Sequence, residues 1–265
     1  MAQLVNTGDR KAGEVQEINS PINLFEYEQL AKEHLSQMAF DHYSSRAWDE
    51  ITLQDNRAAF SRVKLRPKML VDVSEINLTT KVLGTSLQLA RVIAPIAFQY
   101  LGHPEGEIST ASAAASAGVG MVLSTLSTRS FEEVATVSNS LQSFQLYIHK
   151  DRVLTHTLVE RAYTAGYQAL FLTVDASVLG KQERDQGNKF TLPRGLHPAN
   201  LTKISGLDIL HAQRESGLLT YFTQQINPAL TWKDLEWLQS LGPLPLVLKA
   251  ILRGDYTVRA VEYSA

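Results

Sequence analysis

The sequence predicts an α/β protein built on a parallel β-sheet, and three observations indicate this class. From residue 91 onward, short apolar segments alternate with segments of helical pattern. The apolar segments run continuously instead of alternating with polar residues, which is typical of strands buried on both faces. The 265 residues also suit a single α/β barrel, a fold that commonly takes about 250 residues.

Five strands are expected in this repeating part of the chain, and a helix is expected after each of them. The strands are predicted at 91–98, 119–126, 143–149, 168–175 and 244–252. The helices are predicted at 105–118, 130–139, 151–165, 231–241 and 255–265. Gly118 and Gly166 suit helix ends, and Ser130 with Glu133 matches the capping-box pattern. Strictly alternating strands and helices favour parallel strands in sequence order.

The residues before the repeat are predicted to be helical first and then irregular. Ser20-Pro21 is expected to open a helix that continues to Met38, because apolar residues recur there at helical spacing. The other segments are a flexible tail at 1–20, a polar stretch at 44–56, short strands and turns at 60–90, and a long polar excursion at 180–228.

Composition excludes several classes of function. The sequence has no cysteine, so thiolate catalysis, disulfides and cysteine-based metal sites are excluded. The net charge is -2 and no basic block occurs, which argues against nucleic-acid binding. No histidines have the i, i+4 spacing of a helical metal site. The polar N-terminus and the absence of an apolar run of about 20 residues predict a cytoplasmic protein without a membrane partner.

Polar residues gather toward the carboxyl ends of four predicted strands. Parallel α/β proteins bind their ligands at this end of the sheet, so these side chains predict one shared pocket. The alternative is that each side chain only satisfies a neighbouring backbone group. Lys249 is the most informative, because an ammonium in an apolar strand requires an anionic partner. The polar residues are Ser124, Gln145, Tyr147, Thr173, Asp175 and Lys249.

Six motifs in this region resemble the FMN-dependent α-hydroxy acid oxidases, the glycolate and lactate oxidase family. They occur in the family's order as "IAPIAF", "HPEGE", "LSTLST", "FQLYIHKDR", "LTVDA" and "LPLVLKAILRG". The resemblance extends over residues 21–265, with 21–90 as the N-terminal helical and strand region and 91–265 as barrel strands one to five. It implies an incomplete TIM-type barrel with about five of the eight strands.

The resemblance also implies a cofactor, FMN, and the residues that hold it. The backbone of Pro95, Ile96 and Ala97 would lie against the flavin ring. Hydrogen bonds to the polar edge of the ring would come from Ser124, Gln145 and Thr173. Lys249 would lie near N1 and O2, where a cation stabilises the charge of reduced flavin.

The implied reaction converts a small 2-hydroxy acid into a 2-oxo acid. Tyr147 matches a tyrosine that contacts the substrate, and Asp175 matches the aspartate that orients the catalytic base. Two other positions depart from the family pattern. His42 stands where the family has a substrate tyrosine, and Gln182 stands where it has an arginine. Glutamine cannot form the charge-assisted fork of an arginine; nearby Arg184 is a candidate substitute.

The family pattern continues beyond residue 265. The remaining segment would contain barrel strands six to eight, the histidine base, a second arginine and the phosphate-binding loops. Two functions are therefore open. The chain is an FMN-dependent oxidase that forms peroxide, or it is a catalytically inert relic or assembly partner that binds flavin weakly. Unpaired outer strands favour association, so a homo-oligomer or a complementary C-terminal fragment is expected.

Overall fold

The computed structural model of the chain describes residues 20–201, 221 and 224–265. The rest of the expected tail and most of the second half of the polar excursion lie outside these residues. The helices are α1 (Leu24–His34), α2 (Gln37–Ser44), α3 (Ile51–Arg62), α4 (Glu107–Ser116), α5 (Phe131–Ala135), α6 (Arg152–Thr164), α7 (Glu183–Gly187), α8 (Lys233–Gln239) and α9 (Gly254–Glu262). The strands are β1 (Thr80–Val82), β2 (Thr85–Leu87), β3 (Val92–Ile93), β4 (Gly120–Leu123), β5 (Gln142–Leu146), β6 (Leu170–Thr173) and β7 (Leu246–Lys249).

The central sheet has five parallel strands, in the order β3-β4-β5-β6-β7. The order follows the sequence, as predicted. Four of the five observed strands lie within their predicted segments, and β5 begins at Gln142, one residue before the predicted start at 143. Within the part of the chain that the structure describes, β3 and β7 each pair on one side only. The two outer strands therefore have an unpaired edge there.

Strand register separates the two faces of this sheet. Leu123, Phe144, Leu170 and Leu246 form one row across four strands, and all four are buried. This row faces the helices: Phe144 meets Phe131 of α5 edge to face, with ring centroids 4.6 Å apart. Since successive side chains alternate between faces, the next residue on each strand points the other way. That inner face carries the polar residues.

Local capping signals explain where the helices begin and end. Ser130 and Glu133 form the predicted capping box at the start of α5. The Asp151 carboxylate accepts hydrogen bonds from the first turn of α6. Gly118 and Gly166 follow α4 and α6 with φ of 62° and 91°, which only glycine adopts without strain.

Two predictions for the residues before the central sheet were wrong. The helix expected from Ser20 to Met38 is two helices, because Leu35 is extended and Ser36 caps α2 through the Ala39 N–H. The polar stretch at 44–56 includes the start of α3, whose residues are largely exposed. Without a buried apolar face, α3 lacks the periodic signal on which such a prediction depends.

Smaller differences affect the ends of other elements. Helix α5 ends at Ala135 instead of 139, and α8 ends at Gln239 instead of 241. The short strands expected within 60–90 are confirmed as the antiparallel pair β1 and β2. None of the helices in the described residues is both long and apolar enough to cross a bilayer.

Candidate active site

The inner face of the sheet carries a buried polar cluster centred on Gln145. Its Nε2 donates to Thr173 Oγ1 at 2.9 Å, and its Oε1 accepts from the Thr125 N–H at 3.2 Å. Ser124 Oγ lies 3.5 Å from the same Oε1 and accepts from the Leu126 N–H at 3.1 Å. Three neighbouring strands are therefore joined at their carboxyl ends. The predicted residues Ser124, Gln145 and Thr173 do come together.

Lys249 ends β7 beside this cluster. It is in register with Thr173, so the two side chains leave the same face of the sheet. The side chain is half-buried, and no carboxylate or hydrogen-bond acceptor of the described residues contacts its ammonium. The following residue, Ala250, has a left-handed φ of 82°, which turns the chain sharply at this point. The ammonium of Lys249 is therefore available to pair with an anionic or polarisable ligand at this end of the sheet.

The loop after β3 lies next to the cluster and is held firmly. The Phe98 N–H donates to the Leu126 carbonyl at 3.2 Å, and the Tyr43 hydroxyl donates to the Phe98 carbonyl at 2.7 Å. Phe98 is fully buried and has a left-handed φ of 55°. These contacts fix the three residues before it, 95–97, of which Ile96 remains 46% exposed. The loop thus presents an accessible apolar surface beside the polar cluster.

Tyr147 and Asp175 lie farther out on the same face, two residues beyond Gln145 and Thr173. Burial raises the pKa of Tyr147 to about 12, and the negative charge of Asp175 adds to the effect. The two side chains are therefore close enough to interact, as expected for residues of one pocket. Asp175 is exposed, whereas Tyr147 is half-buried.

His42 belongs to a second cluster, formed between α2 and α7. Its Nδ1 lies 3.0 Å from Asp185 Oδ2, and its ring stacks on Phe190 at a centroid distance of 4.2 Å. The ring centroid of Phe98 is 6.0 Å away, so this cluster borders the loop after β3. A carboxylate-oriented imidazole is an arrangement that can bind an anion or exchange a proton.

Sequence reasoning missed Asp185, which lies within the polar excursion predicted at 180–228. Asp185 is 4% exposed. Asp185 lies within α7 and Phe190 lies three residues after its end, and no periodic pattern in this short segment indicates that the two are buried. The guanidinium of the candidate substitute Arg184 pairs with Glu50 at 2.7 Å and with Asp41 at 3.8 Å. Gln182 is half-buried just before α7, and no hydrogen bond to its side chain occurs among the described residues.

Glu107 is a further residue that the sequence did not single out, although it lies in the motif "HPEGE". Its carboxylate is fully buried. It accepts hydrogen bonds from the Thr128 N–H at 2.9 Å, the Thr128 hydroxyl at 2.6 Å and the Gln99 N–H at 3.1 Å. These bonds join the loops that follow β3 and β4. Its position in the first turn of α4 was the available signal, since helix N-termini favour carboxylates.

Comparison with known proteins decides the family. The family model described as FMN-dependent dehydrogenase matches residues 31–265. The chain is 74% identical to L-lactate oxidase of Nostoc sp. (strain PCC 7120 / SAG 25.82 / UTEX 2576) over 252 residues. The chain belongs to the FMN-dependent dehydrogenase family.

Other members of the FMN-dependent dehydrogenase family agree with this assignment. Glycolate oxidase 3 of Arabidopsis thaliana is 45% identical over 245 residues, or 92% of this chain. The crystal structure of mandelate oxidase with (S)-4-hydroxymandelic acid superimposes with a TM-score of 0.87 at 34% identity, covering 92% of this chain. The chain spans 69%, 66% and 68% of the Nostoc, Arabidopsis and mandelate oxidase chains, respectively. The predicted incomplete TIM-type barrel is confirmed.

Membership of this family implies FMN as the cofactor, and the residues of the inner face fit its ring. An isoalloxazine edge carries both acceptors and a donor. The cluster offers the ammonium of Lys249, the hydroxyls of Ser124 and Thr173, and the amide of Gln145, so both kinds of partner are present. The described residues contain no group of three or more histidine, aspartate or glutamate side chains that could hold a metal ion.

One buried titratable group near this site predicts a pH effect on stability. His149 is fully buried, and burial lowers its pKa from 6.5 to about 4, against opposing effects of Asp151 and the Tyr147 backbone. Above pH 6.5 the imidazole is neutral in both states, and its contribution to stability is fully present. As the pH falls from 6.5 to 4, only the unfolded chain takes up the proton, so we expect a loss of about 3 kcal/mol.

Urea unfolding measured between pH 7 and pH 4.5 checks this prediction. The wild-type free energy of unfolding should fall with pH in this interval, whereas His149→Gln should show a flatter profile because glutamine does not titrate. Carboxylates with lowered pKa values, such as Asp41 and Asp234, act mainly below this interval. Parallel profiles for the two proteins would contradict the assignment to His149.

Proposed function

We propose that the chain forms the flavin-ring part of an FMN-dependent oxidase that converts a small (S)-2-hydroxy acid, L-lactate or glycolate, into the 2-oxo acid. The observation that carries this proposal is the half-buried ammonium of Lys249 beside the cluster of Ser124, Gln145 and Thr173. When bound, the flavin accepts two electrons from the substrate and passes them to oxygen, which forms peroxide. L-lactate is the first choice because of the 74% identity to an L-lactate oxidase.

The residues of this chain have separate tasks in the proposed site. Lys249 stabilises negative charge at the N1 and O2 edge, where a fixed cation acts without reorganisation. The amide of Gln145 and the hydroxyls of Ser124 and Thr173 orient the polar edge. The backbone of Pro95, Ile96 and Ala97 supports one face of the ring and excludes water from it. Ser124, Gln145, Thr173 and Lys249 lie at or next to strand ends, and side chains held by a sheet limit the movement of a bound ring.

The substrate side of the proposed site consists of Tyr147, Asp175, His42 and Gln182. The hydroxyl of Tyr147, which its raised pKa keeps protonated, donates a hydrogen bond to the substrate carboxylate or hydroxyl oxygen. Asp175 is the carboxylate that holds the catalytic imidazole in the family pattern. His42, oriented by Asp185, and Gln182 offer weaker carboxylate recognition than an arginine fork.

A second candidate is an inert flavin-binding chain or an assembly partner. The exposed apolar residues of the last segment favour it: Leu252 is 92% exposed, Val258 62% and Val261 70%. Such residues beside the unpaired edge of β7 are suited to contact a second copy or a complementary polypeptide. In this alternative the chain binds flavin but does not reduce it.

Spectroscopy on the purified chain separates the two candidates. The protein is loaded with FMN, freed of excess cofactor and mixed anaerobically with L-lactate or glycolate, with D-lactate as the matched control. Bleaching of the flavin absorption by the first two acids alone supports the oxidase. Retained colour without bleaching supports the inert binder. The loading is repeated with riboflavin, which tests binding of the ring alone. If the protein loses all colour when excess FMN or riboflavin is removed, both candidates are refuted.

A further inference from the structure

Residues 225–227 lie against the segment that follows β5 and form a short antiparallel contact with it. His149 is bridged to Ile226. The Lys150 N–H donates to the Gln225 carbonyl at 2.8 Å, and the Asn227 N–H donates to the Ile148 carbonyl at 3.0 Å. Part of the polar excursion is therefore fastened to the carboxyl end of a central strand, at the rim where the proposed site lies.

A buried side-chain pair lies beneath this contact. His149 Nε2 is 2.7 Å from the hydroxyl of Tyr221, and the two rings meet edge to face at 5.9 Å. His149 is 0% exposed and Tyr221 is 1% exposed. The His149 N–H also donates to Thr155 Oγ1 of α6 at 3.0 Å. Because water cannot replace the bond between the two side chains, breaking it leaves a buried polar group unpaired.

This pair lies next to a residue of the proposed site. Tyr147 precedes His149 by two residues. Burial is the main cause of the raised pKa of Tyr221, and the charge of the Tyr147 phenol raises it further. The same Tyr147 phenol responds to the charge of Asp175. Tyr147 is thus near enough to both Asp175 and Tyr221 for their charges to interact, and Tyr221 is hydrogen-bonded to fully buried His149.

We infer that His149 and Tyr221 are positioning residues: their hydrogen bond latches residues 225–227 onto the end of β5 and holds Tyr147 in place to contact a carboxylate ligand. The pair touches neither cofactor nor substrate and acts through Tyr147. The carboxylate part of this inference rests on the proposed function. The latch itself rests only on the contacts between the two segments.

The variant Tyr221→Phe tests the inference because it removes one hydroxyl and keeps the ring in the core. Tyr163→Phe, an exposed tyrosine on α6, is the matched control. Amide hydrogen exchange of Lys150 and Asn227 should become about 10-fold faster in Tyr221→Phe, and the NMR signal of the Tyr147 ring should shift. Exchange in β4 to β6 should not change. His149→Gln retains a donor and should preserve slow exchange, whereas His149→Leu should not.

Binding of oxalate, a small dicarboxylate, to the FMN-loaded protein tests the positioning role. Tyr221→Phe should bind oxalate about 10-fold more weakly with unchanged FMN affinity. Unchanged exchange at Lys150 and Asn227 would overturn the latch. Faster exchange with an unshifted Tyr147 signal, or with unchanged oxalate affinity, would overturn the positioning role. If the wild type binds no FMN or oxalate, the proposed function fails. Amide exchange at Lys150 and Asn227 and the NMR signal of the Tyr147 ring, both measured on the cofactor-free chain, still decide the inference.

Discussion

Replacing Lys249 by methionine is expected to lower the rate of flavin reduction by L-lactate or glycolate at least about 100-fold. The methionine side chain fills a similar volume but carries no charge. The half-buried ammonium of Lys249 has no anionic partner among the described residues, and it lies in register with Thr173. The negative charge that develops on the ring edge would therefore lose the cation nearest to it.

Stopped-flow absorption under anaerobic conditions measures this rate directly. The matched control is Lys233→Met, which removes an exposed lysine from α8 and should leave the rate unchanged. Lys249→Arg retains the charge and should recover part of the lost rate. Equal rates for Lys249→Met and the wild type would mean that this lysine has another role, such as pairing with a group outside the described residues.

Replacing Glu107 by alanine is expected to lower the free energy of unfolding by about 3–5 kcal/mol. The buried carboxylate accepts three hydrogen bonds, two of them from the N–H groups of Gln99 and Thr128. Alanine removes the acceptor of both partly buried N–H groups. It also separates the loops after β3 and β4, so the support of residues 95–97 is weakened and flavin affinity should fall with stability.

Chemical denaturation of Glu107→Ala and Glu105→Ala provides the measurement. Glu105 lies in the same loop but is exposed, and its described side-chain hydrogen bond is to Ser109, so its loss should change stability by less than about 0.5 kcal/mol. Glu107→Gln retains one acceptor oxygen and should fall between the two. If Glu107→Ala unfolds with the same free energy as the control, the carboxylate does not join the loops as described.

The strands and the inner-face residues were predictable because both follow from local patterns. Continuous apolar segments locate the strands, and the period of two in strand geometry places Ser124, Gln145 and Thr173 on one face once the register is known. The odd charge of Lys249 within an apolar segment drew attention to the same end of the sheet. These features depend on few neighbours, so the sequence alone sufficed.

The clusters at the rim were not predictable, because they join residues that are distant in the chain. The hydrogen bond of His42 with Asp185 spans 143 residues, and that of His149 with Tyr221 spans 72. Asp185 and Tyr221 both lie in the polar excursion, where no periodic pattern indicates which side is buried. Helix α3 was missed for a related reason: its exposed residues carry no apolar stripe.

The most direct measurement for the central claim is the distance between Lys249 Nζ and the N1 and O2 atoms of FMN in a crystal structure of the loaded chain. We expect the ring to lie on the backbone of residues 95–97, with Nζ within about 3.2 Å of one of these two atoms. A ring bound elsewhere, or a Lys249 ammonium in bulk water and remote from the cofactor, would contradict the assignment of this sheet face as the flavin site.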